Sequence, residues 1–178
     1  MSSGDDCTVK KSIECWVART VLKYQARSRT GVCQRSPSGE QILLLHVPGR
    51  RAHVDGGFWQ PITGGIEDEE SAREAAVREV REETGLMCPP DSLRELAANV
   101  RVTIDQSLVI DKTLFLTWLP GAAIALDGKE HDSYCWVDST EVDELLYWDS
   151  NRRTWDIVKD ALVGGPAGGP GSDQLRHL

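Results

Sequence analysis

The sequence lacks several features, and each absence excludes a class of protein. Its five cysteines are scattered over 178 residues without a CxxC pair, so the pattern indicates neither a disulfide framework nor a zinc site. No apolar run approaches the roughly 18 residues that span a bilayer, and the N-terminal MSSGDDCTVKK has no signal-peptide core. We therefore expect a cytoplasmic protein with reduced thiols and no membrane partner.

Basic charge is also scarce. The chain has 20 Lys and Arg against 28 Asp and Glu, a net charge of −8. General nucleic-acid binding needs a basic surface that displaces counterions, so long nucleic acid is not an expected partner. A composition of 40% hydrophobic and 27% charged residues suits one domain with a substantial core.

The two ends of the chain differ from its middle. We expect residues 1–12 to form a flexible N-terminus and residues 13–163 to form the domain. The last segment, 164–178, reads GGPAGGPGSDQLRHL and cannot bury enough apolar surface to fold, which predicts a disordered tail. There are no internal repeats.

Alternation and β-branched content predict strands at Glu14–Tyr24, Gln41–Val47, Glu95–Ile104, Thr113–Leu119 and Tyr134–Val137. Between them we expect a hairpin loop over Arg27–Glu40, which is polar and contains Gly, Pro and Ser, and a turn over Asp105–Asp111. Helical spacing predicts two helices near the end, Thr140–Tyr147 and Asn151–Leu162. The order of these elements favours the α+β class.

The most informative segment is GGIEDEESAREAAVREVREETGL, residues 64–86. Ser71 followed by Glu74 predicts a capping box at a helix start, and Gly85 can adopt the left-handed conformation that ends it. The two glycines before the helix allow a tight turn where backbone approaches a ligand closely. The segment therefore reads as loop, helix, loop.

Three carboxylates in this helix fall at i, i+3 and i+4: Glu79, Glu82 and Glu83. Glu83 continues the apolar stripe that faces the core, where a carboxylate is costly unless it is paired or coordinated. A solvated helix with Glu-to-Arg pairs explains the outer face and fails for this inner one. Clustered oxygen ligands suit a hard cation, so we expect a site for Mg²⁺, with Mn²⁺ as an alternative.

The spacing of Gly, Glu and then Arg-Glu-aliphatic-x-Glu-Glu-x-Gly-aliphatic resembles the signature of the Nudix hydrolases. It is met without departure by Gly64, Glu70, Arg78, Glu79, Val80, Glu82, Glu83, Gly85 and Leu86. The resemblance implies the Nudix fold, a mixed β-sheet sandwiched between α-helices. It also implies a hydrolase of nucleoside diphosphates linked to another moiety, with divalent cations held by the helix carboxylates.

We assign Glu79, Glu82 and Glu83 to the metal, with the Gly64 carbonyl as a further ligand implied by the resemblance. Arg78 is expected to orient Glu82, one turn along the helix. The expected structural members of the motif are Glu70 and Gly85.

Outside the motif, Glu130 in GKEHD is a candidate metal ligand or general base, and a polar loop residue is the open alternative. The candidate catalytic group is thus Glu82, Glu83, Glu130 and Arg78. His131 is expected to be a surface or loop-packing residue.

Trp59 could stack on a base or pterin ring, although packing in the core is the commoner fate of such a residue. Arg50 and Arg51 could reach a triphosphate, although solvation explains both equally well. These three residues are the candidate substrate contacts.

Three phrases, FWQPITGGIE, EH before YCWV, and WDSNRRTWDIV, resemble the Nudix subgroup that converts dihydroneopterin triphosphate and dATP to monophosphate and pyrophosphate. The alternatives are an RNA 5′-pyrophosphohydrolase and a nucleotide-sugar or dinucleotide hydrolase. A non-catalytic nucleotide-binding regulator is the alternative of another class, and it usually shows eroded metal ligands. The expected partner is a small-molecule nucleotide substrate, and a homodimer is left open.

Overall fold

The computed structural model of the chain describes residues 23–36, 39–103, 108–119 and 123–163. In this part a seven-stranded sheet forms the centre. Its strands are β1 (Lys23–Ser36), β2 (Gly39–Val47), β3 (Phe58–Gln60), β4 (Ile62–Gly65), β5 (Arg94–Thr103), β6 (Leu108–Trp118) and β7 (Ser133–Asp138). The helices are α1 (Gly49–Ala52), α2 (Ala72–Thr84), α3 (Val142–Leu145) and α4 (Asp149–Val163), and a 3-10 turn covers Pro90–Ser92.

The sheet is mixed, and β1 lies at its centre. The strand order is β3-β2-β1-β6-β5, while β4 pairs with β1 and β7 pairs with β2. The pair β1 and β6 is parallel over eleven residues, Lys23–Cys33 against Leu108–Trp118. The other pairs are antiparallel. This arrangement confirms the predicted α+β class.

Each face of the sheet has its own core because successive residues of a strand point to opposite faces. Val32 and Leu43 pack on the α2 side with Ala76 and Val80. Their neighbours on the other face pack toward α4, and this second cluster consists of Cys33, Ile42, Leu44, Leu116, Val137, Val142, Leu146, Trp155 and Val158. The sheet therefore lies between helices.

Local sequence determines where α2 begins and ends. The Ser71 hydroxyl accepts a hydrogen bond from the Glu74 backbone, and the Glu74 carboxylate accepts one from the Ser71 backbone at 2.8 Å. Gly85 ends the helix at φ 71°, a left-handed conformation that favours glycine. The capping box and the stop predicted from the sequence are both present.

One prediction about the first part of the chain was wrong. The expected hairpin loop over Arg27–Glu40 is mostly the central strand β1, which runs to Ser36. The polar composition of this segment suggested a solvent-exposed loop, but Ser28, Arg29 and Thr30 are buried.

Other boundaries also differ from expectation. The predicted turn over Asp105–Asp111 overlaps β6, which already begins at Leu108. Of the expected strand Glu14–Tyr24, only the last two residues are described. The segments 1–12 and 164–178 lie outside the described residues. No helix in the described ranges is long and apolar enough to cross a membrane.

Candidate active site

One cavity of about 700 Å³ brings together the acids singled out by sequence. It is lined by Glu79, Glu82 and Glu83 from α2, by Gly64 from β4, and by Glu130 from the loop before β7. Its remaining lining residues are Arg27, Arg51, Thr63, Gly65, Asp127 and Lys129. This volume is in the usual range for a small-molecule site.

Glu83 is the buried acid of this cavity. Its side chain is 5% exposed, and among the described residues its Oε2 has no hydrogen-bond partner. The His131 Nε2 lies 3.4 Å away and is equally buried. Burial raises the pKa of Glu83, against the opposing effect of His131. A nearby cation would favour the charged carboxylate and give Oε2 a further partner.

Glu83, Glu130 and His131 each offer one ligand atom, and these atoms lie within 4.8 Å of one another. His131 was expected at the surface or packed in a loop, and it is buried at 2% exposure. Its Nδ1 lies 3.3 Å from the His46 carbonyl oxygen, which orients the ring. The two carboxylates suit a hard cation, and together with Glu79 and Glu82 in the same cavity they fit the implied metal.

Gly64 and Glu79 are matched in shape. A Cβ on Gly64 would lie 1.7 Å from the Glu79 Oε1, so only glycine leaves room for this carboxylate. Burial raises the pKa of Glu79, and the hydrogen bond from Arg78 opposes that shift. Glu79 is therefore a second carboxylate held in a partly desolvated position.

Arg78 ties the turn to the helix. Its Nε and Nη2 donate to the Glu70 carboxylate, both at 2.9 Å, and its Nη1 donates to Glu79 at 2.7 Å and to Glu82 at 3.1 Å. Nη2 also donates to the Gly65 carbonyl. The hydrogen bonds to Glu70 are the largest cause of the raised pKa of Arg78. This geometry has the Arg78 to Glu82 pair expected from the sequence and gives Glu70 a structural partner.

Cations approach the acidic cavity from other elements. Arg27 comes from β1, Arg51 from the end of α1, and Lys129 from the loop before β7. Arg51 forms an ion pair with Glu130 through Nη2 and Oε1. Sequence reasoning missed Arg27 because it assigned that residue to a loop, and it missed Lys129 because nothing local marks it.

Two candidate substrate contacts do not line this cavity. Arg50 lines a separate hollow with His53 and Asp55. Trp59 packs against the core on the α4 side, and its ring centroid lies 4.9 Å from that of His46. Of the three residues proposed from the sequence, only Arg51 lies at the cavity.

A cationic cluster adjoins the cavity along the sheet: the buried Arg29 and Lys112, with the partly buried Arg27. Arg27 and Lys112 are paired in register between β1 and β6. Arg29 donates to the Asn151 Oδ1 at 2.7 Å and to the Thr154 Oγ1 at 2.9 Å, which are uncharged acceptors. Burial, followed by Arg29 and Arg27, lowers the pKa of Lys112 to about 7.

Known proteins also combine a sheet between helices with a glycine turn that leads into a helix bearing glutamates. Residues 25–158 match the family model of the NUDIX domain. The chain therefore belongs to the NUDIX domain family.

One curated relative matches about two thirds of the chain. An octanoyltransferase from Myxococcus xanthus is 34% identical over 123 residues, which are 67% of this chain and 32% of that protein. The chain thus spans about a third of the length of this curated relative.

Two solved structures share the fold. The E. coli dihydroneopterin triphosphate pyrophosphohydrolase is 22% identical, with 79% of this chain and 98% of that chain covered at a TM-score of 0.60. The NUDIX domain of Shewanella oneidensis NrtR, solved with ADP ribose, is 13% identical, with 84% and 97% covered at a TM-score of 0.66.

Proposed function

We propose that the protein is a Mg²⁺-dependent pyrophosphohydrolase acting on a nucleoside or pterin triphosphate. Water attacks a phosphorus of the triphosphate, one phosphoanhydride P–O bond breaks, and the products are the monophosphate and pyrophosphate. The observation that carries this proposal is the buried Glu83, whose unpartnered oxygen faces His131 beside Glu79, Glu82 and Glu130 in one cavity.

The charges of the cavity support a polyphosphate ligand. Phosphoryl transfer needs positive charge around the phosphate oxygens and a positioned nucleophile. When bound, divalent cations supply charge between the carboxylates and the phosphates and lower the pKa of a coordinated water. Arg27 and Lys129 line the same cavity and add donors for phosphate oxygens.

Glu79, Glu82 and Glu83 would hold the cation, with the Gly64 carbonyl beside them, and Mn²⁺ is the alternative ion. Glu130 is half exposed at the cavity, so it can either join the ligands or accept the proton of the attacking water. Arg78 orients the carboxylates of Glu79 and Glu82 through its hydrogen bonds.

The choice of a triphosphate as substrate is argued separately from the reaction class, because loops outside the motif select the substrate. It rests on the sequence phrases shared with the dihydroneopterin triphosphate subgroup and on a fold shared with a member of it. We further propose that the protein works in the cytoplasm on small-molecule nucleotides.

A panel assay tests this proposal. The protein is incubated with Mg²⁺ and nucleoside triphosphates, dihydroneopterin triphosphate, ADP-ribose, a dinucleotide and triphosphorylated RNA, and the products are identified by phosphorus NMR. We expect pyrophosphate from a triphosphate. Release of pyrophosphate only from RNA would favour the RNA 5′-pyrophosphohydrolase, and tight binding of one nucleotide without turnover would favour the regulator.

A matched pair of variants tests the site. Glu83→Gln removes charge without changing shape, and we expect it to lower kcat at least about 100-fold while the protein stays folded. Glu144→Gln makes the same chemical change on an exposed residue of α3 and should retain the wild-type rate. Equal rates for both variants would exclude Glu83 from the mechanism.

A further inference from the structure

The cavity contains an ion pair in which each residue has a second group that it can bind. Arg51 and Glu130 both line the cavity and pair with each other across it. Each side chain is 49% exposed. Exposed ion pairs of this kind contribute little to stability.

Glu130 has a second set of neighbours. Its carboxylate offers a ligand atom within 4.8 Å of those of Glu83 and His131. The Oε1 that Arg51 engages belongs to the same small carboxylate. A guanidinium at this carboxylate opposes its use as a cation ligand by charge.

Arg51 likewise has a second use. A guanidinium binds phosphate oxygens through two parallel donors, which is a stronger arrangement than an exposed ion pair. A phosphate that enters the cavity therefore competes with Glu130 for Arg51.

The backbone on both sides of this pair is anchored. The His46 Nδ1 lies 2.6 Å from the Asp132 Oδ1, and its Nε2 lies 3.0 Å from the Gly56 carbonyl oxygen. The Asp127 carboxylate accepts hydrogen bonds from the backbone of Lys129 and Glu130. Because His46 joins the two loops, the pair can exchange partners by side-chain rotation alone.

We infer that Arg51 is a positioning residue that neutralises the Glu130 carboxylate beside Glu83 and His131 until a phosphate takes its place. In the free protein the Arg51 guanidinium is paired with the Glu130 carboxylate. When a phosphate-bearing ligand binds Arg51, Glu130 is released and completes the set with Glu83 and His131. Phosphate and metal binding are then positively coupled, and Arg51 is the residue that couples them. This inference rests on the proposed metal site.

The test measures Mn²⁺ affinity by electron paramagnetic resonance of the free ion, without any substrate. We expect Arg51→Gln to bind Mn²⁺ about fivefold more tightly than wild type because Glu130 is released. Arg50→Gln removes the same charge one residue away, outside this cavity, and should change the affinity less than twofold. Arg51→Lys keeps the ion pair and should resemble wild type.

A double variant separates release of Glu130 from a general charge effect. In the Glu130→Gln background, the effect of Arg51→Gln on Mn²⁺ affinity should vanish. Inorganic phosphate should raise Mn²⁺ affinity in wild type and leave it unchanged in Arg51→Gln.

Three results would overturn the inference: equal affinities for Arg51→Gln and Arg50→Gln, an Arg51→Gln effect that persists beside Glu130→Gln, or a phosphate effect that survives in Arg51→Gln. Absence of Mn²⁺ binding in wild type and in every variant would overturn the proposed metal-dependent function as well. The two failures are thus distinguishable.

Discussion

Lys112 should destabilise the protein at neutral and acidic pH, and replacing it with Met should stabilise the fold. Its side chain is 3% exposed beside Arg27 and Arg29. Its pKa falls from 10.5 to about 7, first through burial. At about 1.4 kcal/mol per pKa unit, keeping the ammonium charged in the fold costs up to about 5 kcal/mol. Because water relaxes around such groups, we expect Lys112→Met to gain about 2 to 4 kcal/mol at pH 6.

The gain should depend on pH with a defined sign. Between pH 7 and 10.5 the unfolded chain binds the proton that the folded protein has released, so the free energy of unfolding of wild type rises with pH. Lys112→Met lacks this titration. Its advantage should therefore be largest below pH 7 and should shrink steadily up to pH 10.5.

Urea unfolding followed by tryptophan fluorescence at pH 6 and pH 9.5 measures both effects. Lys129→Met, a change at an exposed lysine, should stay within about 0.5 kcal/mol of wild type at both pH values. If Lys112→Met were destabilising at pH 6, or if its gain were the same at both pH values, the argument from buried charge would be refuted.

Three further predictions test the structure. Gly64→Ala should displace the Glu79 carboxylate and lower Mn²⁺ affinity at least about tenfold. In the control Gly65→Ala, the added Cβ meets nothing within 4 Å and should have little effect on Mn²⁺ affinity. Calorimetry measures both Mn²⁺ affinities, and similar values would contradict the close fit between Gly64 and Glu79. Ser71→Ala removes the capping box and should lower the free energy of unfolding by about 1 kcal/mol in urea titrations. Cys33 is buried with a raised pKa, caused first by burial and then by Glu40, so iodoacetamide at pH 8 should modify it only after unfolding, as peptide mass spectrometry would report.

The motif helix could be predicted because its determinants are local. The capping residues, the apolar stripe and the terminal glycine lie within one segment, and the structure has each of them in place. The burial of Glu83 followed from the same periodicity. Short-range patterns were therefore sufficient for the acidic face of the site.

The central strand could not be predicted in the same way. β1 contains Arg27, Arg29 and Ser28, and such a composition is typical of an exposed loop. Two of these residues, Arg29 and Ser28, are buried, because β1 has neighbours on both sides and α4 covers one face. Tertiary packing outweighed composition there.

The contact between Glu83 and His131 also required the fold. The two residues are 48 positions apart, and nothing near His131 in the sequence indicates burial. They meet because the segment before β7 contacts the C-terminal end of α2, where the Ala125 N–H donates to the Thr84 carbonyl oxygen at 2.9 Å. For the same reason, the sequence did not indicate that Arg27 and Lys129 line the cavity, because the fold brings them there.

The parallel pairing of β1 with β6 has a consequence for synthesis of the chain. Lys23 pairs with Leu108, and Cys33 pairs with Trp118. The middle of the sheet therefore stays open until the ribosome has released residue 118 from its exit tunnel. Since closing such distant contacts is slow, a nascent chain that stops before that point would expose the hydrogen-bonding edge of its own central strand to chaperones.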